Sequence, residues 1–214
     1  LERVPTFQPR SGLVRLETRR VNQASADQRR GRAGRDAAGH CYRLWSAEQP
    51  LAAHAEPEIL QTDLAGLAFE LARWGLTDPG SLDWVTPPPA AALASGRQLL
   101  ATLGILDGTH RLTTFGRRCA RWPTQPRLAA LLEHAAALDA LPLACWIVAW
   151  LEEAPPGDES DLAQVIAHRP RQAGPGAAGR WWRAARLWAV RTGCAPEPDD
   201  LLALPRLLAH AFPD

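Results

Sequence analysis

The 214 residues are 46% hydrophobic and 22% charged, the profile of a soluble globular chain rather than a disordered or fibrous one, with room for one large domain or two small ones. A formal net charge of +1 advertises no long-range field for nucleic acid or membrane, so any basic site has to be local. The longest apolar run, Ala140 to Leu151, is too short to span a bilayer and no signal-peptide pattern opens the chain, which argues against membrane and secreted classes.

In chain order, the first elements are short. Pro9-Arg10-Ser11-Gly12 separates Val4 to Phe7 from Leu13 to Val21, which reads as a β-hairpin. Ser25, followed three residues later by Gln28, has the form of a capping box, and Gly34 can close the helix after about two turns. Beyond Gly39, the run Cys41-Tyr42-Arg43-Leu44-Trp45 reads as a strand. This strand, helix and strand set is too small to bury its own faces and has the character of the edge of a larger α/β domain.

From Pro57 the pattern becomes helical. Leu60, Leu64, Leu67, Leu71 and Trp74 fall three and four apart, with Pro57 suited to a first turn and Gly75 to a C-terminus. Asp78-Pro79-Gly80 makes a turn, and Thr86 is the expected cap of a helix opened by Pro87, Pro88 and Pro89 that carries Leu93, Leu100 and Leu103 to Gly104. Ile105 to Leu112 reads as a hairpin with Asp107-Gly108 at its tip, and Thr113 or Thr114 starts a short helix that Pro123 ends. Two helices, a β-hairpin and a helix are the outline of a winged helix. Helices are then expected over Pro126 to Leu138, Leu141 to Glu153, Ser160 to His168, Trp181 to Arg191 and Asp200 to Phe212. Pro155-Pro156-Gly157 reads as a linker and Pro170 to Gly179 as a loop, and the run from Leu141, apolar nearly all round, belongs at the centre.

Two absences carry weight. The chain has no methionine and opens Leu1-Glu2-Arg3, so an internal piece of a longer product is the expectation. It also has no lysine, so its 24 basic side chains are all arginine and no G-x-x-x-x-G-K-[ST] phosphate loop can lie within it. Cys41, Cys119, Cys145 and Cys194 are far apart, with no C-x-x-C pair and no histidine at ligand spacing. No metal site is expected, and buried free thiols are the bland reading.

The most informative stretch is Gln28-Arg29-Arg30-Gly31-Arg32-Ala33-Gly34-Arg35. Charge runs of this kind are usually solvated surface, and Arg/Gly-rich segments are often flexible RNA-binding tails. This run is short and lies between two expected strands. On a helix, Gln28 and Arg32 are four apart and Arg35 three further on, so they would share a face from which Arg29 and Arg30 point away. Two guanidiniums and an amide converging there suit a cluster of anionic oxygens, because arginine stays charged and forks onto phosphate. Gly31 and Gly34 would let another surface approach closely.

The same residues resemble the Q-R-x-G-R-x-G-R signature, motif VI of the DEAH/RHA helicases of superfamily 2. Asn22 to Asp27, Gly39 to Trp45, Pro57 to Leu60, Thr86 to Pro89, Leu103 to Asp107, Leu112 to Arg118 and Gln125 to Leu128 continue the likeness in order. Asp63 to Ala68 and Trp74 to Pro79 point to the bacterial HrpB-type branch. The resemblance implies a mainly α chain. In that reading residues 1–46 are the C-terminal part of the second RecA-like domain, 47–123 a winged helix, and 124–214 an incomplete, ratchet-like helical bundle. It implies a cytoplasmic ATP-dependent helicase moving 3′ to 5′ on nucleic acid, single-stranded RNA by likeness. Gln28, Gly31, Arg32 and Arg35 would face ATP, with Arg32 and Arg35 as the catalytic arginine fingers. ATP and Mg2+ would be held mainly by residues outside the chain, which alone should be inactive.

Two other readings stay open on the residues alone. A winged-helix regulator with a basic N-terminal arm would have to bind nucleic acid with little more than Arg97 and Arg111 on its helix and hairpin. A helical interaction module would rest on Trp146, Trp150, Trp181, Trp182 and Trp188, although tryptophans at helical spacing are more often core.

Overall fold

A computed structural model describes residues 1–8, 13–153, 161–199 and 201–213. The chain divides into two compact units, one of residues 1–64 and 83–93, the other of residues 65–82 and 94–213. In the first, β1 (Glu2–Gln8) pairs antiparallel with β2 (Leu13–Arg19), with Glu2 opposite Arg19 and Gln8 opposite Leu13. The expected hairpin therefore forms, while its turn at Pro9 to Gly12 lies outside the described residues. Helix α1 (Gln23–Arg32) follows directly.

Cys41 to Trp45 is not a strand but irregular backbone, with Leu44 95% exposed and Tyr42 84% exposed. A strand needs a partner for its N–H and C=O groups, and the only sheet among the described residues is the two-stranded β1–β2 pair. The helix expected from Pro57 also shortens. A single 3-10 turn spans Glu58–Leu60, and α2 proper is Ala65–Arg73. Leu64 and Leu71 are buried, whereas Leu60 and Trp74, the outer members of the expected apolar stripe, are exposed. Gly75 ends α2 at φ +77°, a conformation glycine adopts without the Cβ clash.

The next helix, α3 (Ala90–Thr102), begins after the three prolines rather than within them. Each proline biases the residue before it away from the helical region, so Thr86 to Pro89 stay outside the helix and Thr86 is not its cap. Leu93, Leu100 and Leu103 are buried as expected, and Gly104 closes α3 at φ +72°. The expected hairpin is reduced to one antiparallel bridge, Leu106 to Leu112. Its tip is held by Asp107, whose carboxylate accepts from the backbone N–H of Thr109 at 2.8 Å and of Arg111 at 3.0 Å. Thr113 then caps α4 (Thr114–Cys119) by accepting from the Gly116 N–H at 2.9 Å.

The apolar centre of the second unit is built by α5 (Pro126–Ala137), α6 (Leu141–Glu153), α7 (Leu162–Ala167), α8 (Gly176–Thr192) and α9 (Leu204–Ala211). Every residue from Leu143 to Ala149 is buried, as an all-round apolar helix requires. Trp146 is fully buried and meets Trp181 edge to face at 5.2 Å, the geometry the ring quadrupoles favour. Both indole N–H groups are satisfied, that of Trp146 by the Pro196 carbonyl at 2.8 Å and that of Trp181 by the Trp146 carbonyl at 3.1 Å. Trp188 is buried too, and Trp150 and Trp182 pack against the same core. The tryptophan-rich segment is therefore core, and nothing supports a separate interaction module. Asp161, not Ser160, is the described cap of α7, while Ser160 and the linker Pro155-Pro156-Gly157 lie outside the described residues. Helix α8 starts five residues before Trp181, taking in the end of the expected loop, and α9 begins later than Asp200. The fold is mainly α.

Candidate functional site

Helix α1 carries the arginine run, and its first turn is fixed from three sides. The Asn22 side-chain oxygen accepts from the Ser25 N–H at 2.8 Å. The Gln23 and Ala24 N–H groups donate to the Ala52 and Ala53 carbonyls at 2.8 and 3.1 Å. These bonds satisfy N–H groups that a helix start leaves without intrahelical partners. The cap is therefore Asn22, and Ser25 sits inside the first turn rather than preceding the helix. Val21, Asn22 and Ala26 are the buried anchors beneath it.

Starting three residues earlier than the capping-box reading, α1 also ends earlier. Its last helical residue is Arg32, and the Ala33 N–H turns back to the Arg30 carbonyl at 3.1 Å. Gln28 and Arg32 thus remain one turn apart on α1, but Arg35 lies in a bend beyond it. The expectation that one helical face gathers Gln28, Arg32 and Arg35 fails for Arg35. Its position is set by the turn at Ala33-Gly34.

Asp27 organises the neighbours of the run. It accepts from Gln23 at 2.8 Å, pairs with Arg43, and lies 3.8 Å from Arg30. The Gln23 amide, and after it the Arg43 guanidinium, hold the Asp27 carboxyl below its ordinary range, so it stays charged beside both arginines. Arg29 is taken by Glu2 of β1 at 3.2 Å and by the Leu1 carbonyl at 3.5 Å. Gln28, Arg32 and Arg35 are exposed, and no hydrogen bond or ion pair among the described residues engages their side chains. The run is thereby sorted: Arg29 and Arg30 make contacts within the chain, whereas Arg32 and Arg35 keep their donors available. Gly31 has open space around a would-be Cβ, so a ligand can approach the backbone there.

One determinant escaped the residue pattern. Gly39 passes so close to the end of α1 that a Cβ on it would overlap the Ala33 carbonyl. The return of the chain against that carbonyl shapes the bend that carries Arg35. In the sequence Gly39 is one loop glycine among several, signalled only as the first residue of the Gly39 to Trp45 stretch that continues the likeness and supplies Arg43. Arg43 is the second missed residue: it pairs with Asp27 and stacks over Trp45 at 5.8 Å.

No family model matches the chain. Over its whole length it is 43% identical to the ATP-dependent RNA helicase HrpB of Escherichia coli strain K12, spanning 26% of that protein. Two crystal structures of the E. coli protein, one described as a DExH-box NTPase and one as a DEAH/RHA helicase, match 99% of this chain at 41% identity, with TM-scores of 0.79 and 0.83. The chain is a relative of the HrpB-type DEAH/RHA proteins. It covers about a quarter of the length of those relatives.

Two cations, Arg97 and Arg111, are expected on the helix and hairpin that follow Pro89. Arg97 on α3 donates to the Thr77 carbonyl at 2.6 Å, and Arg111 is exposed on the bridge segment. Cys119 and Cys145 are buried, Cys194 is half-buried and Cys41 is exposed, so the expectation of four buried thiols holds for only part of the set. Among the described residues no group of three or more His, Cys, Asp or Glu side chains is placed to hold a metal ion, and no helix is long and apolar enough to cross a membrane.

Proposed function

We propose that this chain is part of a cytoplasmic ATP-dependent RNA helicase of the DEAH type, in which it supplies the arginines that act on the γ-phosphate of ATP. The observation that carries the proposal is 43% identity, over the whole of the chain, to a protein described as an ATP-dependent RNA helicase. The sorting of the arginine run supports it. Gln28, Gly31, Arg32 and Arg35 face the phosphates, and Arg32 and Arg35 stabilise the charge that develops on the transferred phosphoryl group. Exposed, unpaired guanidiniums fit that role because they pay no internal ion pair to engage an anionic oxygen. The phosphate-binding loop, and the acid that holds Mg2+, belong to residues outside this chain.

In this proposal residues 1–46 complete a RecA-like domain, 47–123 form a winged helix and 124–214 begin a helical bundle. The full protein moves 3′ to 5′ along single-stranded RNA. The test is RNA-stimulated phosphate release by the full-length protein. Arg32→Ala and Arg35→Ala should each lower turnover by roughly 10²-fold or more, since each removes a cation from the transition state. Nucleotide affinity should fall far less. Turnover within about twofold of the parent in both variants, a change too small for a lost transition-state cation, would overturn the assignment.

A further inference from the structure

Cys145 lies on the buried face of α6, and Cys194 lies just past the C-terminus of α8. They are 49 positions apart along the chain, yet their sulfurs are 3.8 Å apart. Gly193 makes the approach possible. It turns the chain at φ +69°, and the Cys194 N–H then donates back to the Ala189 carbonyl at 3.2 Å, which holds Cys194 against α6. Thr192 completes the cluster. Its hydroxyl lies within donating distance of the Trp188 carbonyl at 2.9 Å and the Cys194 sulfur at 3.2 Å, its oxygen is 3.4 Å from the Cys145 sulfur, and the Cys194 thiol donates to the Ala195 carbonyl at 3.2 Å.

We infer that Cys145 and Cys194 are a disulfide-forming pair, joining α6 to the end of α8 when the protein meets a peroxide. The two thiols differ in access. Cys145 is fully buried, and burial pushes its thiol up to about 12, so it does not start the reaction. Cys194 is half-buried and is reached first. Its thiolate attacks the peroxide, the O–O bond breaks, one oxygen stays on sulfur as a sulfenic acid, and the other leaves as water after taking a proton. The Cys145 sulfur then displaces that hydroxyl. The S–S bond forms, the S–O bond breaks, and the Cys145 proton leaves with the hydroxyl as water. In total two thiols lose two hydrogens to one peroxide, which becomes two waters.

The sulfurs must close from 3.8 Å to the roughly 2 Å of a disulfide. The bond would bridge the two helices that make the most extensive contact in this unit. Its effect is to lock a packing that already exists, so oxidation should raise Tm by several degrees rather than unfold the chain.

The experiment treats the full-length protein with hydrogen peroxide, blocks the remaining thiols and maps peptides by mass spectrometry. The expected species links the Cys145 and Cys194 peptides with the loss of two hydrogens, is reversed by a dithiol reductant, and is absent from Cys194→Ser. Cys41, exposed and without a thiol neighbour among the described residues, is the internal control and should oxidise without bridging to either. Cys194 carried to sulfinic acid while Cys145 remains an alkylatable thiol would overturn the inference. So would a bridge from either cysteine to a different partner.

Discussion

Among the described side chains of the first unit, burial is sparse: Val21, Asn22, Ala26, Leu64 and Leu93. In the second, α6 alone buries seven successive residues around Trp146. The first unit is joined instead by charge. Arg19 reaches Glu17, Thr6 and Gln61, Arg29 reaches Glu2, and Arg43 reaches Asp27. Exposed pairs of this kind are screened by water and contribute little, whereas burying one large apolar side chain contributes about 1.5–3 kcal/mol. Apolar packing and the arginine run of α1 therefore lie in different parts of the chain. The helical unit holds its shape by packing, and the hairpin-and-helix unit presents guanidiniums that packing would have covered. Arginine makes the same point at single-residue level. Arg127 is buried, donates to the Ala211 carbonyl at 3.0 Å and lies over Phe212 at 5.2 Å, while Arg32 and Arg35 stand in solvent.

The largest effect expected from this contrast is in the helical unit. Trp146→Ala removes a fully buried indole, its bond to Pro196 and its edge-to-face partner, and should cost about 3–5 kcal/mol in urea or thermal unfolding. Trp150→Ala, at a partly buried position, should cost clearly less. If the two substitutions cost the same, burial is not what separates these positions. Hydrogen exchange gives the same comparison without mutation. Amides of α5 and α6 should be protected far longer than those of residues 33–57, which form no helix or strand. Equal protection in the two regions would erase the distinction drawn between the units.

Gly39→Ala sharpens the comparison from the side of the arginine run. The added methyl meets a backbone carbonyl, which cannot swing aside as a side chain can, so the bend that carries Arg35 must open. A loss of about 1–3 kcal/mol is the usual scale of such overpacking. Because the first unit has little core to resist the change, the expected outcome includes lower ATP turnover in the full-length protein with an intact helical unit by circular dichroism. Gly31→Ala is the control, since nothing lies near its would-be Cβ. It should cost no stability by overlap.

How much was legible in the residues follows the same division. The hairpin, α5 and α6 could be read because period and proline placement are local signals, and Pro126 stands at the first turn of α5. The apolar stripe from Leu60 to Trp74 misled, because periodicity alone does not say where a surface ends, and the chain leaves its core at both ends of that stripe. Cys41 to Trp45 misled for the opposite reason. Alternation marks a strand only where a neighbouring strand exists to pair with it. At the candidate site, the run of arginines was legible as a group able to bind anionic oxygens, because that chemistry is intrinsic to guanidinium. Which of them are occupied was not. That depends on Glu2 and on Asp27 with Arg43, contacts that span 27 and 16 positions of chain.

The smallest expected effect separates two readings of one helix start. A capping box at Ser25 makes the Ser25 hydroxyl the first acceptor of α1, whereas the structure gives that role to Asn22. Asn22→Ala should then lower stability by about 1 kcal/mol, the usual loss on removing an N-cap acceptor, and somewhat more if its buried surroundings do not relax. Ser25→Ala removes only a long contact to Glu2 at 3.3 Å and should change stability by less than about 0.5 kcal/mol. The double variant should behave as Asn22→Ala, since the two side chains do not share the capping bond. Paired unfolding curves read the difference. A larger loss from Ser25→Ala than from Asn22→Ala would move the start of α1 three residues along the chain. It would also return Arg35 to the helical face shared by Gln28 and Arg32, and the bend at Ala33-Gly34 would no longer decide where that guanidinium points.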